Sequence, residues 1–198
     1  MTAARSDLLI ERGQDTNSSD CLDAILDFCR TIGIPPVPRR MTEPKQGPTG
    51  VSLASGQIQY DPDELGYPGD VLYLAATLAL CHPDQRSNLS SPLHFSNESV
   101  KVAHSMATAA WCYAACKAIG IPARTVFHDG GYQGQGEWLA QSFEGGQYFG
   151  LPMLQLFGMA YDAGNAQAKE CQAYPAMTLW LRSNDIHSDI DFFPDVLR

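Results

Sequence analysis

The sequence predicts an α+β fold, mainly helical, built as one domain around a buried central helix with a small β-sheet beside it. Three observations predict it. The run from 71 to 80 is apolar on every side, the run from 98 to 119 is long and carries alanines at helical spacing, and two short β-prone runs flank Ala54-Ser55-Gly56. A helix without a polar face is buried on every side. Short strands on either side of a glycine turn make a hairpin.

The elements follow in order. Residues 1 to 19 are polar and aperiodic and read as a mobile leader. Asp20 offers an N-cap for a first helix whose apolar residues Leu22, Ile25, Leu26, Cys29 and Ile32 recur at three- and four-residue steps. Gly33 closes it, since glycine accepts the left-handed C-terminal conformation, and Pro35 forbids continuation; Ile119-Gly120-Ile121-Pro122 ends the long helix in the same way. Residues 35 to 50 read as a loop, and 51 to 53 with 57 to 60 as the hairpin. Ser96 or Asn97 caps the long helix, with Glu98 at the positive end of its dipole. Its Ala103, Ala107, Ala110 and Ala114 form a stripe narrow enough to admit Ala75, Ala76 and Ala79 of the central helix. Further on, Val126 to His128 reads as a short strand entering a glycine turn, and 137 to 143, 152 to 159 and 175 to 182 as short helices. Tyr161 to Ala173 is small and polar, and reads as a connection.

Composition narrows the function. At 198 residues, 44% hydrophobic and 18% charged, the chain is long enough to bury a sizeable core. A net charge of -9 with only 13 lysines and arginines argues against nucleic acid or an anionic membrane as partner. No stretch approaches the 18 or so apolar residues of a membrane span. Leu8-Leu9-Ile10 is broken at once by Glu11-Arg12, so no secretory signal is read, and a cytoplasmic protein is expected. The sequons at Asn17, Asn88 and Asn97 are then chance matches. Six cysteines without a C-x-x-C pair read as free buried thiols; a metal clip from Cys112, Cys116 and one of His82 or His104 is the alternative.

Motifs carry more. Gly69-Asp70, Met106, Trp111-Cys112-Tyr113-Ala114-Ala115, Val126-Phe127-His128 with Gly131-Tyr132, Gly146 to Pro152, and Tyr174-Pro175-Ala176-Met177 ahead of Trp180-Leu181-Arg182 fall in a characteristic order and spacing. Together they resemble a family of small bacterial, metallopeptidase-like proteins with a zincin-like core, over roughly residues 20 to 182. In that family the Gly-Asp pair leads into a helix reading Leu-His-Glu-Ala-Gly-His, and a second helix carries Glu-Glu-Met. The resemblance implies a zincin-like domain with the central helix at 71 to 80 packed on the helix at 98 to 119. In an H-E-x-x-H frame two imidazoles share one helix face beside a carboxylate that activates the metal's water. Here those three positions are Tyr73, Leu74 and Thr77, and His104-Ser105 stands where the resemblance puts the acidic pair. None of the first three is a good zinc ligand or a general base at neutral pH.

The expectation is therefore a pseudoenzyme with a degenerate site, requiring no cofactor: a non-catalytic or repurposed protein whose old cleft binds a peptide or small molecule. The pocket candidates are Tyr73, Thr77, His104 and Ser105, with Trp111 and Tyr113 further along the long helix and His128 at the glycine turn, where Asp129 is placed to orient it. For Tyr73, Leu74 and Thr77 the competing reading is core packing; for His104 it is a buried polar cluster, and for His128 a turn held by backbone hydrogen bonds. A second function class is a metal-independent enzyme with His104 or His128 as acid or base and Tyr73 or Tyr113 as donor. A metallopeptidase with an unrecognised ligand set comes third. The acidic and aromatic tail, 183 to 198, has no counterpart in the family pattern and is expected to contact a partner or the domain itself.

Overall fold

Helix α2 (Gly69–Leu80) is the hub of the molecule, packed against α1 (Ser18–Thr31), α3 (Glu98–Ile119) and the small sheet. A computed structural model describes residues 18–41 and 47–184. The leader up to residue 17 and the tail from 185 onward lie outside the described residues. The sheet has three strands, β1 (Val37–Pro38), β2 (Val51–Ala54) and β3 (Gln57–Tyr60), in the order β1-β3-β2. β2 and β3 are antiparallel, Val51 opposite Tyr60 and Ala54 opposite Gln57, joined through Ser55 and Gly56 at φ 48° and 74°. Positive φ at both central residues is the type I′ turn that tight hairpins use.

Every residue of α2 except Tyr73 is buried. Its last carbonyls, which the helix itself leaves without donors, are met from outside. Arg86 donates from Nε to the Leu78 carbonyl (3.0 Å) and from Nη2 to that of Ala79 (3.3 Å), and the Arg182 backbone N–H donates to Ala79 (2.8 Å). At the other end Gly69 permits a close approach: a Cβ there would fall 2.0 Å from the Thr125 carbonyl oxygen. This contact pins the start of α2 to the 3-10 turn Ala123–Thr125.

α3 runs over the range the sequence predicts, capped by the Asn97 side chain accepting from the Val100 N–H (3.1 Å) and closed by Gly120 at φ 74°. Gly150 (φ 84°) lies against the backbone of Met106 and Ala107, and the Tyr174 hydroxyl donates to the Ala110 carbonyl (2.8 Å), so this flank meets α5 (Leu151–Leu156) and the 174 region. α3 packs on α2, and its His104 stands edge-on to Tyr73 of α2, ring centroids 6.3 Å apart.

Several smaller expectations are corrected. α1 starts at Ser18, placing Asp20 in its first turn. The 35–50 segment contributes β1, parallel to β3. Val126 to His128 is a turn rather than a strand, because the Val126 and Phe127 N–H groups both donate back to Ala123. α4 (Gly136–Glu144) fits its prediction, whereas α5 stops at Leu156, ahead of Gly158 at φ 66°. The polar connection holds α6 (Ala163–Ala168), capped by Asp162 accepting from the Asn165 N–H (2.9 Å). Residues 175 to 182 are not helical: the Thr178 and Leu179 N–H groups donate to the Met159 carbonyl, which ties the segment to the core instead.

Candidate functional site

The N-terminal ends of α2 and α3, the glycine-rich loop 128–135 and the start of α4 enclose a cleft of about 680 Å³. That volume is in the range of small-molecule sites. Of the sequence candidates, Tyr73, His104 and Ser105 line it. Thr77 does not: it is fully buried, and its hydroxyl donates to the Tyr73 carbonyl (3.0 Å) one turn back. Leu74 is likewise packed in the core. Trp111 is fully buried between Phe28 and Trp180, its indole N–H donating to the Trp180 carbonyl (3.0 Å). Tyr113 sits in a filled aromatic cluster with Phe143, Tyr148 and Tyr174. All four of these side chains are buried in the packed interior.

The groups at the cleft floor keep one charge state near neutrality. His104 lies tilted against Phe95 (ring centroids 5.1 Å) and edge-on to Tyr73 (6.3 Å), and burial lowers its pKa from 6.5 to about 4. The cause is desolvation, which disfavours the imidazolium. Burial, with smaller contributions from Cys112 and Asp70, pushes the Tyr73 phenol up to about 12. Among the described residues the Tyr73 hydroxyl forms no hydrogen bond, although it borders the cleft.

His128 stands just behind the cleft wall, and its partner is not the exposed Asp129 but Asp70, in the first turn of α2. The His128 Nε2 lies 3.1 Å from Asp70 Oδ1, and Tyr67 stacks on the imidazole face with centroids 3.7 Å apart and planes within 8°. The other ring nitrogen, Nδ1, is buried without a hydrogen-bond partner. This pair ties the 128–135 loop to the helix. The loop also carries two adjacent non-glycine residues in the left-handed region, Tyr132 (φ 49°) and Gln133 (φ 55°). Such conformations cost roughly 1–3 kcal/mol each and gather at sites where the surroundings over-determine them. Tyr132 meets Tyr73 edge to face, centroids 6.3 Å apart and planes at 88°, with its hydroxyl beside Cys112.

The rim is apolar. Of the six large hydrophobics exposed among the described residues, Tyr67, Val102, Met106 and Trp138 all line this cleft, and Trp138 stacks on Phe149 (5.2 Å) at its edge. Exposed apolar surface gathered at one concave place marks a binding site. Sequence reasoning missed Asp70, Tyr67, Tyr132 and Trp138. One signal was readable: on α4, Gly136, Ala140 and Phe143 form the buried stripe, and Trp138 stands off it.

The thiol clip is not assembled. Cys29, Cys112 and Cys116 lie close enough to influence one another, but burial raises all three thiols, Cys29 and Cys116 to about 12. Among the described residues no three His, Cys, Asp or Glu side chains converge where a metal ion could bind. No helix of the described residues is long and apolar enough to cross a membrane. Compared with known proteins, the chain gives no significant match to a family model, a curated protein or a solved structure.

Proposed function

We propose that this chain is a zincin-like protein that has given up metal chemistry and uses its cleft to bind an apolar small molecule or peptide side chain. The observation that carries this reading is the 680 Å³ cleft, whose edge gathers four exposed hydrophobics and whose floor offers His104 and Tyr73. An efficient proton carrier titrates near the working pH. His104, neutral above about pH 4, and Tyr73, neutral up to about 12, serve instead as fixed hydrogen-bonding groups. The sequence resemblance is what supports reading the helix Gly69–Leu80, the helix Glu98–Ile119 and the small sheet as a zincin-like scaffold. It does not supply the chemistry, because Tyr73, Leu74 and Thr77 replace the metal frame and only Tyr73 faces the cleft.

Binding of Nile red, an uncharged hydrophobic dye, tests the reading together with elemental analysis and peptidase assays. The expected result is saturable dye binding, no stoichiometric zinc, and no hydrolysis that chelators suppress. One equivalent of tight zinc with chelator-sensitive cleavage would overturn it in favour of a metallopeptidase. A metal-independent enzyme is the second reading, favoured by the Asp70–His128 pair at 3.1 Å with a free Nδ1. Turnover lost in His128→Gln with folding intact would select it.

A further inference from the structure

The cleft is not electrically neutral, and its polarity is set at one corner. Asp70, Tyr73 and Tyr132 all line the same cleft. The two rings stand at 88° to each other, so the corner joins a carboxylate to two crossed aromatic rings. His128 occupies Asp70 Oδ1, and among the described residues no group hydrogen-bonds to Oδ2. The other charges lining the cleft, Glu98 and Lys101, pair with each other at 3.4 Å on the exposed rim and cancel. What remains is one carboxylate, paired through Oδ1 with His128, lining a cavity in a chain of net charge -9. A negatively charged ligand meets repulsion both locally and from the whole molecule. A cation meets the opposite, with aromatic faces adding cation–π attraction.

Away from the corner the wall is apolar, formed by Phe95, Val102, Met106, Leu139, Trp138 and Phe149. Building on the binding reading above, we infer that the cleft takes a hydrophobic primary amine, its ammonium group in the Asp70–Tyr73–Tyr132 corner and its aryl or alkyl body along the α3 and α4 wall. Tyr73 and Asp70 accept from the ammonium, and the stacked Trp138–Phe149 pair covers the body of the ligand.

Three probes of one skeleton test this: phenylbutylamine, phenylbutanol and phenylbutyrate, titrated into the full chain by calorimetry and by tryptophan emission. The amine is expected to bind about tenfold more tightly than the alcohol at low salt, with the carboxylate weakest, and added salt should shrink the gap. Asp70→Asn should bring the amine's affinity down to that of the alcohol measured on the same variant. The probe series needs no variant, so it decides the matter even if Asp70→Asn fails to fold. An amine no tighter than the alcohol, or a carboxylate that binds best, overturns the amine and leaves the cleft a binding site. If none of the three binds or shifts the tryptophan emission, and Nile red does not bind either, the binding reading falls as well.

Discussion

The two halves of α3 make different use of one helix. From Ala107 to Cys116 every residue is buried, and the surrounding aromatics Phe143, Tyr148 and Tyr174 fill the space around Tyr113. Before Ala107 only His104 is buried, while Lys101, Val102 and Met106 are exposed along the cleft. The two tyrosines show the same contrast: Tyr113 packs in a closed cluster, and Tyr73 borders open space beside Asp70 and Tyr132. Continuity of the helix carries the rigidity of the packed half to the wall of the cleft. The cleft therefore forms where packing stops rather than where a motif stands.

Substitutions should separate the halves. The largest effect belongs to the packed side: Phe143→Ala removes a fully buried ring from the aromatic cluster and should cost about 3–5 kcal/mol, read from denaturant unfolding. A loss below 1 kcal/mol would mean that the cluster is not the rigid anchor of α3. Next comes the single buried polar group of the open half. Burial lowers the His104 pKa to about 4 in the folded protein, against 6.5 for a solvent-exposed histidine, so the unfolded chain binds more protons between those limits. Its contribution is full above pH 6.5 and lost as pH falls toward 4, by roughly 3 kcal/mol. His104→Leu should flatten that acid limb, and urea midpoints at several pH values will show whether it does.

Ala107→Leu lies at the junction of the halves, where the backbone of Ala107 touches Gly150. Overpacking there should cost about 1–3 kcal/mol, or a drop of a few degrees in Tm on the order of 2–4 °C per kcal/mol for a chain of this size. An unchanged Tm would show that α5 yields freely. Smallest of all, Val102→Ser on the exposed face of the open half should stay within about 0.5 kcal/mol of the parent. A larger loss would place that face in a packed contact.

The same contrast explains what could be read in the sequence. Packed elements announce themselves locally: the apolar run of α2, the Asn97 cap and Gly120 stop of α3, and the Ser55-Gly56 turn each lie within a few residues of what they define. α6 escaped because its six residues are small and polar, leaving Asp162 and Asn165 as the only cue. The 175–182 segment misled because its N–H groups are satisfied by Met159, a partner in another element. Of the cleft, Tyr73, His104 and Ser105 were legible from their place on predicted helices. The Asp70–His128 pair joins residues 58 apart, and Tyr67 and Tyr132 come from loops; no period or spacing links such groups before the chain folds.

The most direct test is to fill the cleft without touching the packed half. Ser105 lines the cavity from a half-buried position on α3, and Ser105→Trp would occupy that space with an indole. If the cleft is an open ligand site, the variant should melt within about 2–4 °C of the parent, the equivalent of 1 kcal/mol, and lose saturable Nile red binding. Undiminished dye binding by a folded Ser105→Trp protein would contradict the claim that this cleft is where the protein binds.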